Sequence, residues 1–333
     1  MYPDSIQAQH YQVYFNDEGF DFLNRFVAEQ RPSKIFLLAD KHTNECCTPI
    51  VLSVLATDIP LEIIEIEAGE PHKHIDTCTQ VWYALSELGA DRKSLLINIG
   101  GGVVTDLGGF VASTYMRGIP FINIPTSLLA MVDASVGGKT GVDLGALKNL
   151  VGVINNPKGV LIYPDFLATL PTEELRSGMA EMFKHGLISD EAYWHKMCNL
   201  SELTEAHLGS LIYESVVIKN EVVTQDPTEK GLRKTLNYGH TLGHAIESYC
   251  LQNPNRERLL HGEAIAIGMV LATYLSVKEL GFSMDKCNQV KAVLGEYFKK
   301  QDFSYEEITD ICQLMRFDKK NVGGNVHFVL LEA

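Results

Sequence analysis

The chain has 333 residues, 46% hydrophobic and 21% charged, which is enough apolar material for one large or two medium globular domains. Its formal net charge of −14 argues against nucleic acid or an anionic membrane surface as a partner, so a local cluster of cations must meet any anionic ligand. Seven scattered cysteines without a CxxC pair, no signal peptide and no apolar run of about 20 residues lead us to expect a reduced, cytoplasmic protein without a membrane span.

Short β-rich segments alternate with helical patterns in the first half of the chain. Segments 34–40 (KIFLLAD) and 61–69 (LEIIEIEAG) predict strands, and an amphipathic helix that ends at Gly89 follows them. Segments 94–102 (SLLINIGGG) and 120–126 (PFINIPT) predict two further strands, the second of which stops at Pro125. Strands that alternate with helices are typical of βαβ units and a mainly parallel sheet.

The pattern changes near Pro171. Thr172, followed by acidic residues, gives a helix-start signal, and long amphipathic patterns continue from there to about Leu314. A final apolar run, 326–333 (VHFVLLEA), predicts a short terminal strand. We therefore expect an α/β domain over residues 1–168 and a helical domain over residues 169–333.

Three consecutive glycines lie between a predicted strand and a predicted helix. Gly100, Gly101 and Gly102 would let the backbone approach a pyrophosphate, whose charge a helix N-terminus favours. The spacing is not GxGxxG, so a simple tight turn remains the alternative. Asp40, at the end of another predicted strand, could accept hydrogen bonds from ribose hydroxyls.

A second glycine-rich segment, MVDASVGGKTGVDLGALKNLVG, carries both acids and lysines. Its polar residues are Asp133, Lys139, Asp143, Lys148 and Asn149. Glycine-rich turns that bear lysine suit phosphate binding through backbone N–H groups and a point charge. The segment lacks the Walker pattern GxxxxGK[ST], which argues against an ATPase.

Three histidines mark the segment 232–263, LRKTLNYGHTLGHAIESYCLQNPNRERLLHGE. His240 and His244 are four residues apart and share a face if helical, and His261 follows a loop. Two helical imidazoles and a third from the next element could hold a metal with an open coordination position. The alternative is surface polarity or a capped core histidine, because no acid lies between the pair as in the metalloprotease helix.

Neighbouring residues favour the metal interpretation. Arg233, Asn237, His240 and His244 would form one polar stripe on a continuous helix, and a buried stripe needs partners that a ligand or ion can supply. Glu181 lies three residues before Lys184 in GMAEMFKHG. Such a pair is ordinarily a solvated ion pair, but its apolar neighbours make Glu181 a candidate third ligand.

Several blocks together resemble a known family. These blocks are GGGVVTDLGGFVAS, PTSLLAMVDASVGGKTGVD, KNLVG, AEMFKHG, LNYGHTLGHAIE and HGEAIAIGM. In order and spacing, over roughly residues 40–320, they resemble the 3-dehydroquinate synthases of the shikimate pathway. The resemblance implies an N-terminal NAD-binding α/β domain, an all-helical C-terminal metal-binding domain, one divalent metal (zinc, or cobalt) and a homodimer. The implied reaction converts 3-deoxy-D-arabino-heptulosonate 7-phosphate to 3-dehydroquinate and phosphate, in aromatic amino acid and chorismate biosynthesis.

The resemblance also implies roles for individual residues. The implied metal ligands are Glu181, His240 and His261. The implied catalytic residues are Lys139, Lys184, Lys219, Arg233, Asn237 and His244. The implied substrate-binding residues are Arg117, which would reach the partner subunit's site, with Asp133, Lys148, Asn149 and Lys319 or Lys320. The implied NAD contacts are Asp40, Glu70, Lys73, Gly101, Gly102, Val103, Asp106, Thr126, Ser127, Phe166 and Thr169.

Three other functions stay open at this point. A sister cyclase would act on sedoheptulose 7-phosphate or glucose 6-phosphate, which lack the carboxylate that Arg233, Asn237, His244 and Lys219 favour. A polyol dehydrogenase would release NADH on turnover, whereas a cyclase would release phosphate without net NADH. A non-catalytic NAD-binding protein would not need the metal ligands. The 252–258 region (QNPNRER) also predicts a longer surface loop than is usual in the family.

Overall fold

The computed structural model describes residues 2–145, 147–200, 205–315 and 325–332. The chain forms two compact units, the first of residues 1–171 and 204–224, the second of residues 172–203 and 225–333. The predicted boundary after residue 168 lies close to the first break. Residues 204–224, which the sequence assigned to the second domain, belong to the first unit.

The first unit is built on a seven-stranded sheet, and a hairpin adds two more strands. The strands are β1 (Ser5–Gln7), β2 (Gln12–Phe15), β3 (Ile35–Asp40), β4 (Leu61–Ile66), β5 (Leu95–Gly100), β6 (Phe121–Pro125), β7 (Lys139–Leu144), β8 (Leu147–Ile154) and β9 (Val160–Ile162). The sheet order is β1-β2-β9-β6-β5-β3-β4, and every pair is parallel except β1 with β2. The predicted mainly parallel sheet is therefore confirmed.

Twelve α-helices lie within the described residues. They are α1 (Asp17–Gln30), α2 (Lys41–Cys46), α3 (Thr48–Val54), α4 (Ile75–Glu87), α5 (Gly102–Thr114), α6 (Thr172–Ser189), α7 (Glu191–Met197), α8 (Glu205–Gln225), α9 (His240–Gln252), α10 (His261–Leu280), α11 (Met284–Tyr297) and α12 (Tyr305–Leu314). The first five and α8 belong to the first unit. None of the described helices is long and apolar enough to cross a membrane.

The central strands are almost entirely apolar because both faces of the sheet are covered, and the two buried polar residues of β5 and β6, Asn98 and Asn123, hydrogen-bond to each other. All six residues of β5 are buried, as are the first five of β3. Parallel pairing brings the carboxyl ends of these strands to one edge, where Asp40, Gly100 and Pro125 lie. The strand order reverses between β3 and β5, and ligands of open α/β sheets bind at such a point.

The glycine-rich segment after β6 was predicted to form turns, but much of it is the antiparallel hairpin β7–β8. Its two strands approach closely: a Cβ on Gly141 would lie 2.5 Å from the carbonyl oxygen of Val151. Glycine is therefore required for pairing here, although the composition is typical of a loop.

In the second unit, three helices approach one another more closely than side chains would allow. A Cβ on Gly262 of α10 would lie 2.1 Å from the carbonyl oxygen of Ser177 on α6. A Cβ on Gly268 of α10 would lie 2.0 Å from the carbonyl oxygen of Gly239, just before α9. These bare backbone surfaces bring α6, α9 and α10 together.

Two local predictions for the second unit are wrong. Arg233 and His244 do not share one continuous helix, because a 3-10 turn (Leu232–Asn237) ends before Gly239, whose φ of 77° is left-handed. Residues 326–332 form no strand. Their backbone meets helices instead: the carbonyl of His327 accepts from Thr241 Oγ1, and the N–H of Leu331 donates to Ser276 Oγ.

Candidate functional site

One carboxylate oxygen in the second unit faces two imidazoles. Glu181 Oε1 lies 3.5 Å from His240 Nε2 and 3.7 Å from His261 Nε2. Metal–ligand bonds of about 2.0–2.2 Å in a tetrahedral site separate neighbouring ligand atoms by about 3.3–3.6 Å. The two distances from Glu181 Oε1 are close to this spacing, and one oxygen with two imidazole nitrogens is a donor set that suits a divalent cation such as zinc.

In His240 and His261, the Nδ1 atom, which does not face Glu181, contacts an oxygen atom of another residue. Nδ1 of His240 lies 3.1 Å from the carbonyl oxygen of Tyr238, which can only accept a hydrogen bond. Nδ1 of His261 lies 3.2 Å from Glu247 Oε2. With a cation bound, each ring would keep its proton on Nδ1 and offer the Nε2 lone pair to the cation.

Two neighbouring carboxylates shift the pKa of His261 strongly. Burial alone would lower its pKa, but the neighbouring carboxylates of Glu181 and Glu247 raise it to about 10. The imidazole therefore lies in a strongly negative environment, which also favours a metal cation.

Glu181 and Lys184 are not a solvated surface pair. Both side chains are buried, and Lys184 Nζ donates to Glu181 Oε2. The third histidine lies close by: the ring of His244 is 5.2 Å from that of His240 and 5.7 Å from that of His261, between centroids. One ligand nitrogen from each of the three histidines lies within 4.8 Å of the others.

Arg233 and Asn237 contact the turn that precedes the 3-10 segment. Arg233 is 2% exposed, and its Nη1 donates to the carbonyl of Pro227 at 2.8 Å. Asn237 Nδ2 donates to Glu229 Oε1 at 2.8 Å. The buried guanidinium of Arg233 therefore lies beside the turn that contains Pro227 and Glu229, which the sequence analysis did not identify as part of a site.

In the first unit, several predicted NAD contacts lie at the carboxyl edge of the sheet. Asp40 caps α2 by accepting from the N–H of Thr43, and Gly101 is the N-cap of α5. Thr126 follows β6, and its N–H donates to the carbonyl of Gly100 at 3.0 Å. The remaining predicted residues of this group are Gly102 and Val103 in the first turn of α5, Ser127 after β6, and Phe166 and Thr169 in the 3-10 turn Pro164–Thr169.

A buried lysine joins the predicted NAD contacts to predicted substrate contacts. Lys73 Nζ donates to Asp106 Oδ2 and to Asn149 Oδ1, both at 2.6 Å. Burial would lower the pKa of Lys73, but the neighbouring carboxylates, led by Asp106, raise it above its usual value. Lys148 Nζ reaches Glu70 at 2.7 Å, so the two predicted groups meet twice.

The other predicted residues of the first unit are placed as follows by the fold. Lys219 on α8 donates from Nζ to the carbonyl oxygen of Asp133 and, at 2.6 Å, to its Oδ1. Asp133 lies in a π-helical turn (Ala130–Ala134), a geometry that is frequent at functional sites. Lys139 begins β7, and Arg117 is exposed with a φ of 69°. The predicted substrate residues Lys319 and Lys320 lie outside the described residues.

Sequence reasoning missed two partners of the predicted ligands. The Tyr238 carbonyl could not be foreseen, since it depends on the break at Gly239. Glu247 could have been found, because it lies seven residues after His240 and three after His244, a spacing that shares one helix face. Glu229 was also missed, since its contact with Asn237 depends on the fold of the turn.

Comparison with solved structures gives the class of protein. The fold matches 2-deoxy-scyllo-inosose synthase complexed with carbaglucose-6-phosphate, NAD+ and Co2+ with a TM-score of 0.81, at 24% identity over 95% of this chain and 88% of that one. It matches 2-epi-5-epi-valiolone synthase from Streptomyces hygroscopicus, with NAD+ and Zn2+ bound, with a TM-score of 0.80, at 27% identity over 99% and 92% of the two chains. Glycerol dehydrogenase from Schizosaccharomyces pombe matches more distantly, with a TM-score of 0.65. The chain therefore shares its fold with these cyclases and with glycerol dehydrogenase.

Sequence comparison narrows the class to one family. The family models described as 3-dehydroquinate synthase N-terminal and C-terminal match residues 63–177 and 178–321. The chain is 45% identical to a 3-dehydroquinate synthase of Parabacteroides distasonis over 312 residues, which is 93% of this chain and 88% of the relative. It is 40% identical to that of Clostridium botulinum over 90% of this chain and 85% of the relative. The chain belongs to the 3-dehydroquinate synthase family.

Proposed function

We propose that the protein converts 3-deoxy-D-arabino-heptulosonate 7-phosphate to 3-dehydroquinate and phosphate, with NAD and one divalent metal ion as cofactors. The proposal rests on family membership and on one observation, the approach of Glu181 Oε1 to the Nε2 atoms of His240 and His261. Relatives of the same fold carry NAD+ with Co2+ or Zn2+. Zinc is the metal that the oxygen and nitrogen donors favour in a site with an open position.

In this proposal Glu181, His240 and His261 hold the metal. When bound, the metal would supply a Lewis acid that acidifies a substrate hydroxyl, and NAD would supply a hydride acceptor that returns the hydride within the same turnover. Lys184, buried against Glu181, balances part of the negative charge of that carboxylate. His244, next to both ligand histidines, is a candidate for moving a proton at the substrate.

Cations of the chain meet the two anionic groups of the substrate. Arg233 presents a planar, permanently charged donor fork, which suits a carboxylate or phosphate better than an ammonium does. Lys139, Lys148 and Lys219 of the first unit are the further candidates, with Asn149, Asn237 and the remaining predicted contacts completing the set. Local placement of cations is necessary because the chain carries a net charge of −14.

The test is incubation of the purified protein with the heptulosonate phosphate, NAD and Zn2+ or Co2+. We expect phosphate and 3-dehydroquinate to form in equal amounts, with no lasting rise in NADH absorbance, because the hydride returns to the product. A stoichiometric accumulation of NADH would instead indicate a polyol dehydrogenase, and the proposal would be wrong.

Substrate choice separates the proposal from a sister cyclase. Sedoheptulose 7-phosphate lacks the carboxylate, so we expect it to react far more slowly than the heptulosonate phosphate under the same conditions. Preferential turnover of sedoheptulose 7-phosphate would favour the sister activity, which the structurally similar 2-epi-5-epi-valiolone synthase makes the strongest alternative. A homodimer and a cytoplasmic location are part of the same proposal by family membership.

A further inference from the structure

Glu247 is a buried carboxylate that is neither a candidate metal ligand nor a candidate catalytic group. It lies on α9, is 9% exposed, and its Oε2 is 3.2 Å from Nδ1 of His261 on α10. His240, His244 and Glu247 are spaced four and three residues apart on one helix, so they share a face. Helix α9 thus carries one candidate ligand and also the group that contacts another candidate ligand on the neighbouring helix.

The two candidate ligand histidines are held by different kinds of acceptor. His240 meets a neutral backbone carbonyl, whereas His261 meets a carboxylate. A carboxylate behind an imidazole fixes the tautomer and ring orientation more firmly, and it makes the opposite nitrogen a stronger donor to a metal. Together, Glu181 and Glu247 bring two acidic groups to His261, in keeping with the double charge of a divalent cation.

We propose that Glu247 is a positioning residue of the metal site, which keeps the proton of His261 on Nδ1 and turns Nε2 towards the cation. This inference rests on the proposed function, because it requires that the Glu181–His240–His261 cluster binds a metal. A simple ion pair between neighbouring helices would contribute to stability only, and it would leave metal affinity and the geometry of the metal unchanged.

The test compares full-length wild-type protein with Glu247→Ala, Glu247→Gln and the control Glu279→Gln. Glu279 is an exposed acid on α10, so its variant removes the same charge away from the cluster. Dissociation constants for Zn2+ and Co2+ are measured by competition with a chelating dye, and the visible spectrum of the Co2+ protein reports the ligand geometry.

We expect Glu247→Ala to weaken metal binding by about 10- to 100-fold and to alter the Co2+ spectrum. Glu247→Gln should fall between Ala and wild type, because its amide oxygen still accepts the Nδ1 proton but carries no charge. Glu279→Gln should match wild type. Wild-type affinity and spectrum in Glu247→Ala would overturn the inference, and if that variant does not fold, wild-type values in Glu247→Gln would do so.

His261→Ala distinguishes failure of this inference from failure of the proposed function. If wild-type protein binds one metal and His261→Ala loses it, the site stands and the Glu247 variants decide the role of Glu247. If His261→Ala binds the metal as wild type does, the ligand set itself is wrong and the inference falls with it.

Discussion

His240 and His261 face the same oxygen of Glu181, yet a carbonyl holds one ring and a carboxylate holds the other. The two rings therefore differ in their electrostatic surroundings. The histidines and Glu181 could be nominated from the sequence because imidazoles at helical spacing and a carboxylate on an apolar helix are unusual. The partners of the two Nδ1 atoms were not foreseen. The Tyr238 carbonyl depends on the backbone break at Gly239, and Glu247 depends on a contact between α9 and α10.

Arg233 provides a prediction about substrate recognition. In Arg233→Ala, an anionic group of the substrate loses its buried partner. We expect transition-state stabilisation to fall by about 2–3 kcal/mol, so that kcat/KM for the heptulosonate phosphate falls roughly 30- to 150-fold. Steady-state kinetics measures the change, with Arg258→Ala in the exposed loop as the control. An unchanged kcat/KM in Arg233→Ala would remove Arg233 from the substrate site.

The cysteines provide a second prediction at this scale. Burial raises the pKa of Cys47 and of Cys78 to about 12, so at pH 8 almost none of either thiol is the reactive thiolate. Cys46 and Cys312 are exposed. In a short pulse of iodoacetamide at pH 8, followed by peptide mass spectrometry, we expect Cys46 and Cys312 to be alkylated and Cys47 and Cys78 to be protected. Equal labelling of adjacent Cys46 and Cys47 would contradict this.

At the scale of elements, mainly apolar runs were enough to predict β3, β5 and β6, which are buried on both faces, and β-rich composition predicted the edge strand β4. The hairpin β7–β8 was not predicted, because the glycines that let its strands approach also resemble a loop. Helix α8 lies within the long amphipathic patterns predicted between Pro171 and Leu314, but those patterns could not show which unit the helix joins. Its place in the first unit depends on distant contacts, such as Asn220 Nδ2 with the carbonyl of Gln7.

The crossing of α6 and α10 provides a prediction about how helices assemble the candidate metal site. Gly262→Ala would place a methyl group 2.1 Å from the carbonyl oxygen of Ser177, so α10 must move away from α6. Since Glu181 and His261 lie on these two helices, we expect metal affinity to fall at least about tenfold and Tm to fall as well. Calorimetry and metal titration measure both effects.

Gly295→Ala is the matched control for this substitution. Gly295 lies in α11, and a Cβ there would meet no atom within 4 Å. Because Ala is the better helix former, we expect its Tm to rise slightly, by the equivalent of about 0.5–1 kcal/mol, with unchanged metal affinity. If Gly262→Ala bound metal as tightly as Gly295→Ala, close packing at Gly262 would not be what assembles the site.

At the scale of the whole molecule, the sequence predicted an α/β part and a helical part because the two hydrophobic periods change near Pro171. It did not predict that residues 204–224 return to the first unit. The sequence also did not show that Lys73 joins the predicted NAD contacts of that unit to its predicted substrate contacts. The ion pair between Lys73 and Asp106 links a residue close to α4 with α5, and it forms only because these elements pack together. Patterns along the chain indicate elements, whereas these features depend on which elements meet.

Metal content is the most direct test of the account. After equilibration with buffered Zn2+ and removal of excess metal, we expect about one zinc per chain in wild type and in His195→Ala, whose histidine is exposed on α7. His240→Ala and His261→Ala should each retain less than about a tenth of that amount, while NAD binding by fluorescence titration stays close to wild type. Stoichiometric zinc in either ligand variant would contradict the assignment of Glu181, His240 and His261 as the metal site.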